Sequence, residues 1–127
     1  SVKAEKNPSE IVQEFIDFLE DSKTEYEEAK AKCDKYDSID RHIYWAHKFE
    51  LASDKNERNR LATAYQKERL DRRECKNTVD RLKIIHDFMC SDNNKSTLKR
   101  MKGMISIQKH QEEYLDGEKE YKGGDDK

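Results

Sequence analysis

The segment "PSEIVQEFIDFLEDSKTEYEEAKAKCDKY", residues 8–36, decides the fold, because its apolar and small positions repeat with the spacing of a long packed helix. Steps of three and four alternate along it and keep one helical face against a neighbour. The positions in this repeat are Val12, Phe15, Leu19, Ser22, Tyr26, Ala29, Cys33 and Tyr36. Before the repeat, Asn7 as a cap, Pro8 in the first turn and Glu10 three residues after the cap predict where the helix begins.

Two more helices are predicted from the residues that follow "YDSID". Ser38 is the expected cap of a second helix at 39–52, whose inward positions are Ile39, Ile43, Ala46 and Phe49, with Trp45 beside them. A third helix is expected at about 57–89. Its repeat is apolar at both ends and polar in the middle: Leu61, Tyr65, Glu68, Arg72, Cys75, Val79, Leu82, His86 and Met89.

The segment "SDNNKS" at 91–96 is predicted to be a loop, with Ser96 as the cap of a fourth helix. Leu98, Met101 and Ile105 form the apolar face of that helix, and this apolar face does not continue after Gln108. The fold class is therefore all-α, an antiparallel helical bundle or coiled-coil hairpin of about four helices. Residues 1–115 are expected to form a single helical domain, and residues 116–127 a disordered, mobile acidic tail.

Composition narrows the class of protein. Charged residues make up 43% of the 127-residue chain and apolar residues 33%, against about 25% and 45–50% in typical soluble domains. Long solvent-exposed helices fit this balance. No apolar run approaches the roughly 18 residues of a membrane span, and no secretion signal is recognisable at the start. Cys33, Cys75 and Cys90 have no CxxC spacing, which predicts free thiols in a cytoplasmic protein.

Six acids form a ridge on the first helix, opposite the apolar repeat and within about 80° of arc. This acidic ridge consists of Glu10, Glu14, Asp17, Asp21, Glu25 and Glu28. Like charges at helical spacing repel by roughly 0.2–0.5 kcal/mol per pair. Over about 27 Å of helix the charges lie about 5 Å apart, on the scale of a nucleic-acid strand. The ridge is either a solubilising face or a docking surface for a partner with a basic groove.

A basic cluster lies on the third helix and consists of Arg69, Arg72, Arg73 and Lys76. Arg72 falls on the apolar repeat itself, where an arginine can extend along a neighbouring helix and meet carboxylates. An ion-pair network, a solvated surface and a phosphate contact are the three interpretations. Acids interleaved with the cluster, such as Glu68 and Asp71, disfavour nucleic-acid binding.

The sequence carries no catalytic or cofactor motif, and His110 and Glu113 have a usable metal-ligand spacing but no third ligand nearby in the sequence. His42 and His47 are five residues apart, so a helix directs them about 140° from each other. The chain also lacks a glycine-rich phosphate loop. We therefore expect a protein without enzymatic activity, without a cofactor and without a metal.

Residues 44–109 resemble small helical accessory proteins of phages and prophages of low-GC Gram-positive bacteria. The resemblance rests on "WAHKFE", on "RLATAYQKERLDRRECKNTVDRLKIIHDF" and on "LKRMKGMISIQK". Arg72, Arg73 and Lys76 would be the shared feature, whereas the acidic end "GEKEYKGGDDK" departs from the basic tail of such proteins. The resemblance implies a phage-encoded protein in the host cytoplasm that inhibits or modulates a host component, such as a CRISPR or other anti-phage defence effector.

These observations predict a binding protein that uses the acidic ridge to bind a host protein, and this host protein is expected to be one that handles nucleic acid. Two other functions stay open: a nucleic-acid-binding phage regulator that uses the basic cluster, and a phage structural or assembly protein. A homodimer is also expected, because the two long apolar repeats exceed what the second and fourth helices can cover and leave Phe18, Tyr26 and Tyr44 available for a second copy.

Overall fold

The computed structural model describes the backbone of residues 6–125 and the side chains of residues 6–117. It contains four α-helices: α1 (Pro8–Tyr36), α2 (Ile39–Leu51), α3 (Lys55–Cys90) and α4 (Asp92–Asp125). Because the described residues include no strand, the all-α class is confirmed. None of the helices in this part of the chain is long and apolar enough to cross a membrane.

The predicted helix starts follow from capping. Asn7 N donates to Glu10 Oε1 at 3.3 Å, the half of the expected capping box that Glu10 supplies, while Glu10 N donates to the Asn7 carbonyl at 3.0 Å rather than to the Asn7 side chain. Ser38 Oγ accepts from Arg41 N at 3.1 Å and caps α2 as predicted. Asp54 Oδ1 accepts from the third residue after it, Glu57 N, at 2.8 Å, and so caps α3.

The predicted loop at 91–96 is wrong. Ser91 alone separates α3 from α4, and α4 begins at Asp92 rather than after Ser96. The polar residues of this segment satisfy helix ends instead of forming a loop. Asn94 Nδ2 donates to the Phe88 carbonyl at 3.1 Å near the end of α3, and Asp92 places a negative charge in the first turn of α4.

The chain divides into two compact units. The first consists of the described parts of residues 1–21 and 87–127, where the start of α1 packs against α4. Ser9 N and Oγ donate to Glu112 at 2.9 and 2.6 Å, and Lys102 Nζ lies 2.6 Å from Glu20 Oε2. Because residue numbers rise on α1 as they fall on α4, the two helices are antiparallel. The buried apolar side chains of this unit are Ile16, Leu19, Met89, Leu98 and Ile105.

One position of the predicted α1 repeat is wrong. Phe15 is 53% exposed, whereas its neighbour Ile16 is fully buried. Steps of three and four connect Val12 to Leu19 through either residue, so spacing alone did not decide between them. Ile16 lies nearer the centre of the buried arc, which Ser9 and Leu19 define. The first unit therefore leaves a large aromatic side chain on its surface.

The second unit consists of residues 22–86. Its buried side chains are Ser22, Tyr26, Cys33, Trp45, Cys75 and Val79. Tyr26 stacks on His86 with ring centroids 4.0 Å apart, so its expected availability for a second copy of the chain is wrong. Tyr36, ten residues later on α1, donates a hydrogen bond to Asp71, so α1 and α3 are antiparallel in this unit.

The inward face of α2 was also predicted wrongly. Ile39 and Ile43 are 73% and 60% exposed, and Ala46 is exposed as well, while Trp45 is buried and Phe49 half-buried. Trp45 determines the orientation because its ring has the largest apolar area and its indole N–H finds an acceptor on α3. The repeat predicted for α3 holds better: most of its positions are buried or half-buried, and Tyr65 is 39% exposed.

The end of the chain differs from the expected disordered tail. The α4 backbone stays helical to Asp125, well beyond residue 116 where the tail was expected to begin. Residues 126 and 127 lie outside the described part. Mobility of this segment in solution stays a prediction.

Candidate protein-binding surface

All members of the acidic ridge are exposed. They lie on the outward side of α1, away from the buried residues of this helix: Glu10, Glu14, Asp17, Asp21, Glu25 and Glu28. The first four belong to the first unit and the last two to the second. The sequence thus predicted correctly which side of α1 meets solvent, because six carboxylates cannot enter a core without partners.

The ridge keeps most of its negative charge. Glu14 alone among the six is paired with a cation in the described part of the chain, by Lys6 Nζ at 2.8 Å from its Oε2. Asp17 Oδ1 accepts from the uncharged Gln13 amide at 2.9 Å. Among described side chains, Asp21, Glu25 and Glu28 form no ion pair, so this stretch of surface is uncompensated.

Three acids of α1 that lie outside the ridge are each paired with a lysine. Glu20 pairs with Lys102 at 2.6 Å, Glu27 with Lys23 at 3.2 Å, and Asp34 with Lys30 at 2.9 Å. These three acids lie off the ridge. The helix therefore separates neutralised carboxylates on its other sides from a mostly unneutralised row on one side. If α1 were only rich in acids, we would expect cations to pair with acids on every side of the helix.

The basic cluster does not form one unengaged patch. Arg72 donates to both carboxylate oxygens of Asp37, from Nε at 2.6 Å and from Nη2 at 2.9 Å. The pKa of Asp37 is lowered, first by this hydrogen bond. Lys76 pairs with Asp80 at 3.0 Å along α3. Arg69 and Arg73 are exposed. Two of the four cations thus contact acids of the chain itself.

A polar network within the second unit was not predicted. Arg41 Nε lies 3.0 Å from both Glu68 oxygens, and Trp45 Nε1 donates to Glu68 Oε2 at 3.0 Å. The hydrogen bond from Arg41 lowers the pKa of Glu68, although partial burial opposes it. The Arg41 guanidinium also lies 4.3 Å from the centre of the Tyr44 ring. The position of Glu68 on the apolar repeat of α3 indicated that it faces a neighbouring helix. Its partners on α2 were not predicted, because Ile39 and Ile43 were expected to face inward there.

A second group joins α1 to α3 one turn away. Lys32 Nζ lies 2.9 Å from Asp71 Oδ2, and the Tyr36 hydroxyl donates to the same carboxylate oxygen. This hydrogen bond lowers the pKa of Asp71 and raises the pKa of Tyr36. Glu68 and Asp71, in the polar middle of α3, therefore contact α2 and α1 respectively. The sequence pattern "QKERLDRRECK" here stabilises helix contacts within the second unit.

Comparison with known proteins adds no relative. No protein family, no curated protein and no solved structure matches this chain.

Proposed function

We propose that this chain is a non-enzymatic binding protein that docks a basic partner through the acidic ridge. The observation that carries the proposal is the contrast along α1. Among the described side chains, ridge acids are exposed and mostly without cations, whereas Glu20, Glu27 and Asp34 on the other sides of α1 are each paired. Such a row costs self-repulsion. A partner that supplies the missing cations would recover that cost on binding.

The partner proposed is a host protein with a basic groove that otherwise holds nucleic acid. Carboxylates about 5 Å apart along one helix have a charge spacing on the scale of a nucleic-acid strand. Together with the resemblance of residues 44–109 to phage accessory proteins, this supports a phage-encoded inhibitor of a defence effector, such as a CRISPR effector, in the host cytoplasm. Opposite charges would speed association and make it sensitive to salt.

The basic cluster is proposed to have a structural role. Arg72 already satisfies a carboxylate of its own chain, and Lys76 does the same along the helix. A phosphate bound by Arg72 and Lys76 would have to displace both contacts, which leaves Arg69 and Arg73 as the exposed cations of the cluster, so the nucleic-acid-binding alternative is less well supported than the acidic ridge. A phage assembly role would require large homo-oligomers, which distinguish it from the proposal in solution.

We further propose that the helices form an antiparallel bundle and that the chain is a homodimer. Antiparallel pairing within each unit supports the bundle. Ile39 and Ile43 support the dimer, because they lie four residues apart on the exposed side of α2 and are 73% and 60% exposed. Both side chains would lose water in a two-fold contact between copies of α2.

The experiment is affinity capture from a lysate of a low-GC Gram-positive host, with a matched control. One variant reverses three ridge charges, Asp17→Lys, Asp21→Lys and Glu25→Lys. The control reverses three exposed acids outside α1, Glu50→Lys, Glu113→Lys and Asp116→Lys, and so has the same net charge. The proposal predicts that one host protein is retained by the wild type and the control and lost by the ridge variant. Retention by all three, or large homo-oligomers with no host protein, would contradict it.

A further inference from the structure

An apolar strip lies beside the acidic ridge in the first unit. Ile11, Phe15 and Phe18 are 55%, 53% and 53% exposed. At 100° per residue these three positions fall within about 60° of one another on α1. They lie between the buried side of the helix and the ridge. Glu14 and Asp21 are three residues from Ile11 and Phe18, so carboxylates directly border the strip.

The strip continues on α4. The antiparallel register given by the Ser9–Glu112 and Glu20–Lys102 contacts brings Phe18 level with Met104. Glu20 and Lys102 mark one side of the helix pair, and Phe18 and Met104 project toward the opposite side. One turn after Arg100, the α4 edge of this opposite side has no charged residue over about 16 Å. It consists of Met104, Ile107, Gln111 and Leu115, and its three apolar members are 49–74% exposed.

The two edges of this surface therefore differ. The α1 edge is acidic, and the α4 edge is uncharged from Met104 to Leu115. We propose that this face of the first unit binds an amphipathic helix of the partner protein, apolar along its centre and basic along the edge that meets α1. This inference rests on the proposed function, since it names the structural element that the acidic ridge would recruit.

Charge selects this occupant over a second copy of the chain. Another copy would bring the same acidic edge and an α4 edge on which Arg100, one turn before Met104, is the one cation among the described residues, so it supplies no row of cations to face the acids. A helix with Lys and Arg along one edge supplies them while its apolar side covers Phe15 and Phe18. Apolar contacts of this kind set the residence time, and the charges set orientation and association rate.

The test uses the full chain and a fluorescent synthetic helix of about 14 residues, long enough to span the α4 edge. The probe has Leu at i, i+3, i+4 and i+7 and Lys along one edge. A scrambled peptide of identical composition is the probe control. The protein variants are Phe15→Gln with Phe18→Gln in the strip and Ile84→Gln elsewhere, a matched exchange at a side chain that is 84% exposed.

Fluorescence anisotropy should show about tenfold or more tighter binding of the striped peptide than of the scrambled one. The strip variant should lose that preference, and Ile84→Gln should keep it. Equal binding of both peptides, or an unaffected strip variant, would overturn the inference. A wild-type dimer that dissociates in the strip variant would also overturn the inference, because the surface would then bind a second copy of the chain.

The ridge variant separates this inference from the proposed function. If reversing Asp17, Asp21 and Glu25 abolishes capture of the host protein while the strip variant still captures it, docking is electrostatic alone. The proposed function then stands and the inference falls. If neither variant changes capture, both fall.

Discussion

Arg72 of α3 binds Asp37 through two parallel hydrogen bonds, at 2.6 and 2.9 Å, and so connects α3 to the turn between α1 and α2. This contact explains why a charged residue occupies a position of the apolar repeat. The guanidinium matches a carboxylate with two donors, and its stem covers neighbouring apolar surface. A lysine could supply the charge at this position but not the paired geometry.

The Asp37–Arg72 contact predicts an acid-dependent loss of stability. The folded-state pKa of Asp37 lies below its ordinary value, so the stabilisation is fully present above the unfolded-state pKa of about 3.9. It disappears as the pH falls through the lowered folded-state pKa. Asp37→Asn should therefore lower the denaturation midpoint at pH 7, and the difference from the wild type should be smaller at a pH below the unfolded-state value of about 3.9. Urea titrations at both pH values measure it, and a difference that does not change with pH would contradict the assignment.

Glu68 should be the most costly acid to remove from the second unit. Its carboxylate accepts from Arg41 and from Trp45 Nε1, and its side chain is only 11% exposed. Glu68→Ala would leave an indole N–H and a guanidinium without their acceptor, at a cost of about 1–3 kcal/mol in the free energy of unfolding. Glu74→Ala, at an exposed position on the same helix, is the control and should be nearly neutral. Equal effects of the two substitutions in chemical denaturation would refute the network.

Gly103 offers a stabilising substitution within α4. A methyl group there would meet no atom within 4 Å, and the residue lies inside a helix. Gly103→Ala should raise the free energy of unfolding by about 0.5–1 kcal/mol, because alanine loses less backbone entropy than glycine. No gain would mean that α4 is not formed at this position. Gly117→Ala, where an added methyl group also meets no atom within 4 Å, tests the end of the chain. An equal increase in the free energy of unfolding indicates a helix there, and no increase indicates the mobility expected from the sequence.

The proposed dimer has a specific test on α2. Light scattering coupled to gel filtration should give about 30 kDa for the wild type, twice the 15.1 kDa chain. Replacing Ile39 and Ile43 by Gln should return the mass to that of one chain, because these side chains would line the contact. Ile84→Gln should leave the dimer intact. A wild type of 15 kDa at micromolar concentration would exclude the dimer.

Local features of the fold were predictable from the sequence, whereas contacts between distant segments were not. Pro8 and Ser38 determined helix starts because caps depend on neighbouring residues only. The choice between Phe15 and Ile16, and the inward side of α2, depend on which neighbour each helix meets. Periodicity predicted Ile43 to face inward, but Trp45 found both apolar cover and an acceptor on α3. Tertiary contacts outweighed local pattern there.

In the candidate site, too, features within one helix were predictable from the sequence and features that join distant segments were not. The acidic ridge was visible in the sequence, because all six residues lie on one helix and need only helical geometry to be brought together. The apolar strip was not, because it joins α1 to α4 across a register that Glu20 and Lys102 define only in the folded chain. Of the neutralised acids of α1, Glu27 and Asp34 pair with lysines four residues away and follow from helical spacing, whereas the Glu20–Lys102 pair exists only in the folded chain. These pairs distinguish the ridge from an ordinary charged surface.

The most direct test of the account is the affinity of the captured host protein for the ridge variant, measured by surface plasmon resonance at about 50 and about 300 mM salt. We predict that the wild type binds more weakly at the higher salt concentration, through slower association, and that reversing Asp17, Asp21 and Glu25 abolishes binding without loss of helicity. The control with three reversed acids outside α1 should bind like the wild type. Unchanged affinity of the ridge variant, with no dependence on salt, would show that the acidic ridge is only a solvated face.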